Sequence, residues 1–316
     1  MKVYYPRDYK FLEHNKLDSD SYHFIYDHLC GFDENYNNSI LQNQNQNNNT
    51  IKIGTEYIFD DNLKKKYPNI QFTFSSNIVK KLDFEQFENY NIHPELTFNN
   101  FLCSFNGSDH VSRQLLTAIL NNQKIFDPQF SSKNFSCSND WILGHLDYLN
   151  LDSDEKELYR HFFKNDNYFN NQIYSFGHVQ FDHKNNIYNL EDKLTQSFLH
   201  IVSETMATSY YPYYSEKFMY SIITRGLFLS YAQPNWHHHL EKYYGFKKYD
   251  KIFDYGFDSV KNPVKRLIRL VEMISKFKNL SVDDWQDLYL SEQDTIEYNY
   301  DHYFSKNYLT HLAQFD

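Results

Sequence analysis

Cysteine is scarce in this chain of 316 residues. Cys30, Cys103 and Cys137 are odd in number, far apart and without Cys-x-x-Cys spacing, which speaks against a disulfide framework and against a thiolate zinc site. Long apolar runs are missing as well. No stretch approaches the roughly 20 uncharged apolar residues that cross a bilayer, and the opening MKVYYPRDYK has no apolar signal-peptide core. These features predict a soluble, cytoplasmic protein without a membrane span. Positive charge is in deficit: a formal net charge of −10 disfavours the broad basic face that gives nonspecific affinity for nucleic acid. Nor is there a Walker loop, a Gly-x-Gly-x-x-Gly, a Gly-x-Ser-x-Gly or a His-Glu-x-x-His motif.

Aromatic residues, by contrast, are plentiful. With 29 Tyr and 28 Phe, much of any core must be filled by rings, and tyrosines can also line a polar pocket while their ring bodies stay buried. The length suits two domains of roughly 100–200 residues each. Residues 42–50 (QNQNQNNNT) form a polar low-complexity tract with nothing to bury, expected as an exposed insertion. Around it, the apolar runs 22–29, 51–58 and 70–74 mix strand and helix signals without a clean period.

From residue 99 the pattern sharpens. Residues 99–105 (NNFLCSF) suit a buried strand and end at the polar turn Asn106-Gly107-Ser108-Asp109, whose residues also make good helix N-caps. Val111, Leu115, Leu116, Ile119 and Leu120 then recur at helical spacing, with Asn121-Asn122 as a stop. Residues 198–202 (FLHIV) repeat this grammar, turning polar at Ser203-Glu204-Thr205. Ser215 can cap a helix with Phe218, Met219, Ile222 and Ile223 on one face; Gly226 ends it, and 227–231 (LFLSY) gives the next strand. Asn262-Pro263 is a helix start, Ser281 with Asp284 opens another helix, and 292–313 reads as one closing helix. The alternation predicts an α/β protein: two doubly wound Rossmann-like lobes facing a cleft, with closing C-terminal helices. The expected division is 1–190 for an N-terminal lobe carrying the 42–50 insertion, and 191–316 for a C-terminal lobe with the closing helices.

In open α/β sheets ligands gather at the carboxyl ends of the strands, where helix N-termini meet. Two polar clusters fall at such places, residues 106–113 and residues 204–217. Arg113 is one of six arginines and sits in a first helical turn, where a cation opposes the helix dipole. A planar guanidinium there suits a diphosphate; the plainer alternative is an ion pair. Glu216 suits the positive end of its helix without any further role. Glu204, a dozen residues earlier at a strand end, adds a carboxylate able to accept ribose hydroxyls, and Lys217 an ammonium able to stabilise a departing diphosphate.

The segment FLHIVSETMATSYYPYYSEKFMYSIITRGLFL (198–229) resembles the donor-binding signature of the fucosyltransferase family that includes α1,3-fucosyltransferases. In that signature an apolar strand is followed by Glu-Asn, a spacer, Tyr-Val-Thr-Glu-Lys, a helix and a small-residue turn. Glu204, Tyr213, Ser215, Glu216 and Lys217 fall on the matching positions, and FLCSFNGSDHVSRQLLTAIL places Arg113 on the family's donor-phosphate arginine. The chain departs from the pattern at Thr205 for Asn, Tyr214 for Val and Ser215 for Thr. The resemblance covers about 99–280. It implies a GT-B fold and inverting, metal-independent transfer from a nucleotide-sugar, a GDP-sugar favoured and GDP-fucose among the options, to a glycan or other hydroxyl acceptor. Donor contacts would come from Arg113, Glu204, Tyr213, Ser215, Glu216 and Lys217.

An inverting transfer needs a general base. Glu56, Asp60, Asp61, Glu95, Asp109 and His110 qualify by residue type alone, and none is chosen. His237-His238-His239 is not a metal site, because consecutive helical residues point about 100° apart; an exposed segment is expected. Asp18-Ser19-Asp20 and Asp152-Ser153-Asp154 spell a cation-binding pattern common in acidic loops, and helix capping accounts for them. Asp254 and Asp258 suit an acidic turn as well as a donor contact. Two rivals remain: a DNA-modifying glycosyltransferase, which needs a basic channel at odds with the net charge, and a catalytically inactive sugar-binding or scaffolding relative.

Overall fold

The computed structural model describes residues 22–25, 51–55, 65–74, 97–108, 110–133, 153, 156–157, 160, 173–176, 183–204, 207, 214–215 and 217–312. It forms two compact units, one of Met1–Leu82 with Ser209–Tyr213 and Asp316, the other of Asp83–Thr208 with Tyr214–Phe315. The low-complexity tract, Cys30, Cys137, and the aspartates of both Asp-Ser-Asp sequences lie outside the described residues.

The smaller unit holds a parallel sheet of β1 (Tyr22–Ile25), β2 (Ile51–Thr55) and β3 (Ile70–Phe74), in that order. Tyr22 pairs with Lys52, and Ile51 with Ile70. Each of the three short apolar runs that gave no clean period therefore contains a strand. The strands are only four or five residues long, too short for a period to stand out within the longer runs.

In the larger unit β4 (Asn100–Cys103), β7 (Ser197–Ser203) and β8 (Leu227–Tyr231) form a parallel sheet in the order β4-β7-β8. All seven residues of β7 are buried, which requires cover on both faces. A second parallel pair, β5 (Phe105–Asn106) with β6 (Ser132–Lys133), begins one residue after β4. Ser104 makes the join: its hydroxyl donates to Ile201 O at 2.9 Å, its amide donates to Ser131 Oγ at 3.0 Å, and its carbonyl accepts from Ser132 N at 2.9 Å. One strand, β4 running into β5, thus pairs with β7 on one side and β6 on the other. The β5-β6 pair and the β4-β7-β8 sheet stay separate sheets, joined through Ser104.

The crossovers are helical. α1 (Val111–Asn122) follows β5, α2 (His183–Thr195) precedes β7, and α3 (Lys217–Ile223) joins β7 to β8. After β8 come α4 (Trp236–Tyr244), a short 3-10 turn (Tyr255–Phe257), α5 (Pro263–Ser275), α6 (Val282–Ser291), α7 (Gln293–Phe304) and α8 (Asn307–Leu312). Helix α1 packs on β7 and α5, and α3 on β7, β8 and α7. Among the described residues no helix is long and apolar enough to cross a membrane.

Rings fill the core, as the composition requires. Phe101, Phe198 and Trp285 stack at the amino ends of β4 and β7, with Phe198 and Trp285 centroids 5.9 Å apart. Between α3 and α4, Trp236 meets Tyr214 at 5.0 Å and Phe218 at 5.5 Å. Such pairs contribute about 0.5–1.5 kcal/mol each beyond their buried area.

Local signals set several boundaries. Asn262 caps α5, its side chain accepting from the amides of Val264 and Lys265 at 2.9 Å each, with Pro263 at the first helical position. Ser281 and Asp284 form a reciprocal capping box at the start of α6. Gly226 is fixed by a neighbour, since a Cβ there would lie 2.0 Å from Cε1 of His200. The chain reaches it through Arg225, held at a left-handed φ of 52°. Two expectations fail. The closing segment is two helices, broken at Ser305 and Lys306, where Lys306 takes a φ of 58°. The cap of α1 is His110, which makes no side-chain cap bond, rather than a residue of the 106–109 turn.

Candidate functional site

The strand order reverses at β4/β5. The next strand along the chain, β6, lies on one side of it, while β7 lies on the other, and the loops leaving such neighbours part to open a crevice at their carboxyl ends. Both polar clusters converge on that edge. The turn after β5 carries Gly107 and Ser108 and leads through His110 into α1; the chain leaves β7 at Glu204. Ser112 in the first turn of α1 donates from Oγ to the carbonyl of Glu204 at 3.3 Å, bridging 92 positions of sequence. β4 and β7, assigned to different lobes in the sequence reading, thus share one sheet. Pairing of β4 with β7, Leu102 opposite Leu199, is what joins them.

Glu204 is fully buried. Its amide donates to Tyr231 O at 3.1 Å, tying the exits of β7 and β8, and its Oε1 accepts from the amide of Ser215 at 3.1 Å. The carboxylate thus ties the exit of β7 to Ser215, two residues ahead of α3. Ser215, 2% exposed, passes the contact on: its Oγ accepts from the Lys217 amide at 3.4 Å and from Lys217 Nζ at 3.3 Å. Glu204, Ser215 and Lys217 form one connected group, and Lys217 remains half-buried. Arg113 is only 4% exposed, and its guanidinium donates to Ser108 Oγ in the turn ahead of its own helix. Arg113 thus places a buried cation in the first turn of α1, where it opposes the helix dipole. Tyr213 and Glu216 lie outside the described residues.

Tyr214 stands where the family pattern has Val, and it serves as a core residue. Its ring packs on Tyr244 at 4.7 Å and on Trp236, and its hydroxyl donates to Trp236 O at 3.1 Å. Burial, reinforced by negative groups at Tyr244, Asp258 and Glu204, holds the phenol well above the ordinary tyrosine range. A neutral, buried tyrosine is therefore compatible with an apolar position.

The histidine run is not wholly exposed as expected: His237 is 3% exposed. Its Nε2 accepts from Ser230 N at 2.9 Å, so the proton resides on Nδ1, which donates to Asp258 Oδ1 at 2.8 Å. Asp258 Oδ2 also accepts from the amides of His237 and His238, at 3.0 and 3.3 Å. The pair satisfies a β8 backbone amide and the start of α4, and Asp258 has a structural task. Asp254 likewise accepts from Gly256 N at 2.9 Å within its turn. Among the described residues no group of three or more His, Cys, Asp or Glu is placed to hold a metal ion.

Sequence reasoning missed Arg266, 1% exposed on the first turns of α5. Its Nε donates to Ala232 O at 2.9 Å, its Nη1 to Val260 O and, at 3.1 Å, to Lys261 O, and its Nη2 to Ala207 O. Gln233 and Asn106 are also fully buried at this edge. An arginine among amphipathic helix residues reads as part of the solvent face, and no motif separates it from its neighbour Lys265, which is exposed.

The chain matches no protein-family model, no curated protein and no solved structure.

Proposed function

We propose that the chain is an inverting, metal-independent glycosyltransferase that binds a nucleotide-sugar at the carboxyl edge of the β4-β7-β8 sheet, GDP-sugars being the favoured donors and a glycan hydroxyl the acceptor. The observation that carries the reading is the Ser112–Glu204 hydrogen bond at the point of strand reversal, which unites two clusters first singled out separately in the sequence. We read the two units, each built on a parallel sheet, as the lobes of a GT-B enzyme, the larger one holding the donor.

The buried Arg113 and the first-turn amides of α1 suit a diphosphate, and Lys217 suits the charge that develops on it as it leaves. In the reaction the acceptor oxygen attacks the anomeric carbon, the bond from that carbon to the diphosphate oxygen breaks, and the hydroxyl proton passes to a base. Glu204 either accepts ribose hydroxyls through Oε2 or fixes the Lys217 segment through Oε1. Tyr213 and Glu216 enter this reading from the family resemblance alone.

The test is a thermal-shift panel of GDP-, UDP-, ADP- and CMP-sugars without added metal, on wild type and Lys217→Ala. A donor present at about 100 times its Kd stabilises the native state by about 2.7 kcal/mol. A rise in melting temperature for one nucleotide class, reduced in Lys217→Ala, is the expected result. No shift for any donor refutes the reading. Binding without transfer to any acceptor favours the inactive relative.

A further inference from the structure

We propose that Arg266 is the positioning residue of the candidate site, a clamp that sets where β7 and β8 release the chain. Its three donor nitrogens reach carbonyls in three separate segments: Ala207 after β7, Ala232 after β8, and Val260 with Lys261 ahead of α5. A guanidinium is suited to this because its five N–H donors lie in one plane at fixed angles, so the segments it bridges are held in a fixed relation; an ammonium would act as a point charge with no such geometry. The burial is nearly complete. In a low-dielectric setting those carbonyls gain more from a charged donor than they would in water, and lose correspondingly more without it.

The clamp is anchored at a rigid point. Asn262 and Pro263 fix the start of α5, and Val264, Leu267, Leu270 and Ile274 bury its face. From there Arg266 reaches Ala207, three residues beyond Glu204, on the stretch that leads to Ser215 and Lys217. Glu204 is held at its amide by Tyr231 O, at the end of β8, whose next residue is Ala232. Arg266 therefore spans both strand exits that carry Glu204 and its support. Its effect on ligand binding rests on the donor-site reading above; its effect on the exits does not.

Amide hydrogen exchange on the intact chain tests the clamp. In wild type, with denaturant raised below the unfolding transition, the peptides containing Ala207, Ala232 and the first turn of α5 are expected to open together, with one free energy and one denaturant dependence. In Arg266→Lys, exchange in those peptides rises about tenfold while β7 and α7 change by less than about twofold. Independent opening of the three segments in wild type overturns the proposal, as does an Arg266→Lys increase spread evenly over the molecule. GDP titration then separates the two readings. If wild type binds GDP, Arg266→Lys is expected to weaken it about tenfold while the exposed control Arg269→Lys does not; unchanged affinity overturns the link to the site. If wild type binds no GDP, the GDP-donor preference fails and exchange alone judges the clamp.

Discussion

Acidification should expose a specific weakness at His200. This histidine lies in the middle of β7, 2% exposed, with Nε2 2.7 Å from the carbonyl of Leu194, near the C-terminal end of α2. The carbonyl accepts, so Nε2 carries the proton and the ring is a neutral donor to a helix-end carbonyl. Burial pulls the pKa from 6.5 to about 4, with the Leu194 contact acting weakly in the other direction. The sign of the effect follows. Above the unfolded value both states are neutral; as pH falls below it the unfolded chain takes up a proton that the folded chain refuses, and stability declines until the folded pKa is passed. The full difference corresponds to about 3 kcal/mol, of which about 2 kcal/mol is lost between about pH 7.5 and about pH 5, against an ordinary reserve of roughly 5–15 kcal/mol. Urea unfolding of wild type and His200→Gln at these two pH values isolates the contribution, because the remaining titrating groups are common to both chains. His302, lowered chiefly by burial and more weakly by His311, acts in the same direction and cancels in the comparison. The expected result is a smaller pH dependence in His200→Gln, by about 2 kcal/mol. Equal pH dependence in the two chains would refute the assignment of a neutral, buried His200.

The remaining predictions concern the same framework. Gly226→Ala forces a methyl to within 2.0 Å of the His200 ring, and is expected to cost about 1–3 kcal/mol in urea unfolding. In a double-mutant cycle with His200→Ser the penalty should shrink, because the neighbour that refuses the methyl has gone. Asn262→Ala removes the side-chain acceptor for two first-turn amides of α5 and should lower stability by about 1 kcal/mol, as read by the urea midpoint at constant slope.

Local chemistry was legible in the sequence, and non-local pairing was not. The Asn262-Pro263 start and the Ser281–Asp284 box act over three residues, so their signal survives in the linear string. Gly226 was read correctly as a helix stop, but the stronger reason for a glycine there is the His200 ring, 26 positions earlier, and periodicity carries no trace of it. The break at Ser305 and Lys306 has no glycine or proline to announce it. Arg266 and His237 were hidden for a shared reason: a buried polar side chain on a helix looks like a solvent-facing one until its partners, Ala207 and Ala232 in one case and Ser230 and Asp258 in the other, are brought to it by the fold. Arg113 stood out in the sequence because a cation in a first helical turn is anomalous, and the structure adds that it is buried.

The two ends of the β4-β7-β8 sheet are built from different material, and that difference bears on where a ligand can act. At the amino ends Phe101, Phe198 and Trp285 close a ring-filled core, and the cation nearby, Arg225, is held by Glu297 at 3.0 Å and lies 3.5 Å over the Tyr300 ring. At the carboxyl ends the buried side chains include the polar Asn106, Arg113, Glu204, Ser215, Gln233 and Arg266, groups whose burial is costly unless each hydrogen-bonding need is met. Stability alone would favour apolar replacements there. Some of this cost is explained structurally, since Glu204 secures Ser215 and Arg266 secures two strand exits. Arg113 stands apart from these in its position: it donates to Ser108 Oγ in the turn ahead of its own helix, and a cation at the head of α1 opposes the helix dipole. An anion seated on the α1 amides would offset that opposition, which is why the proposed reading puts the diphosphate end of the donor there.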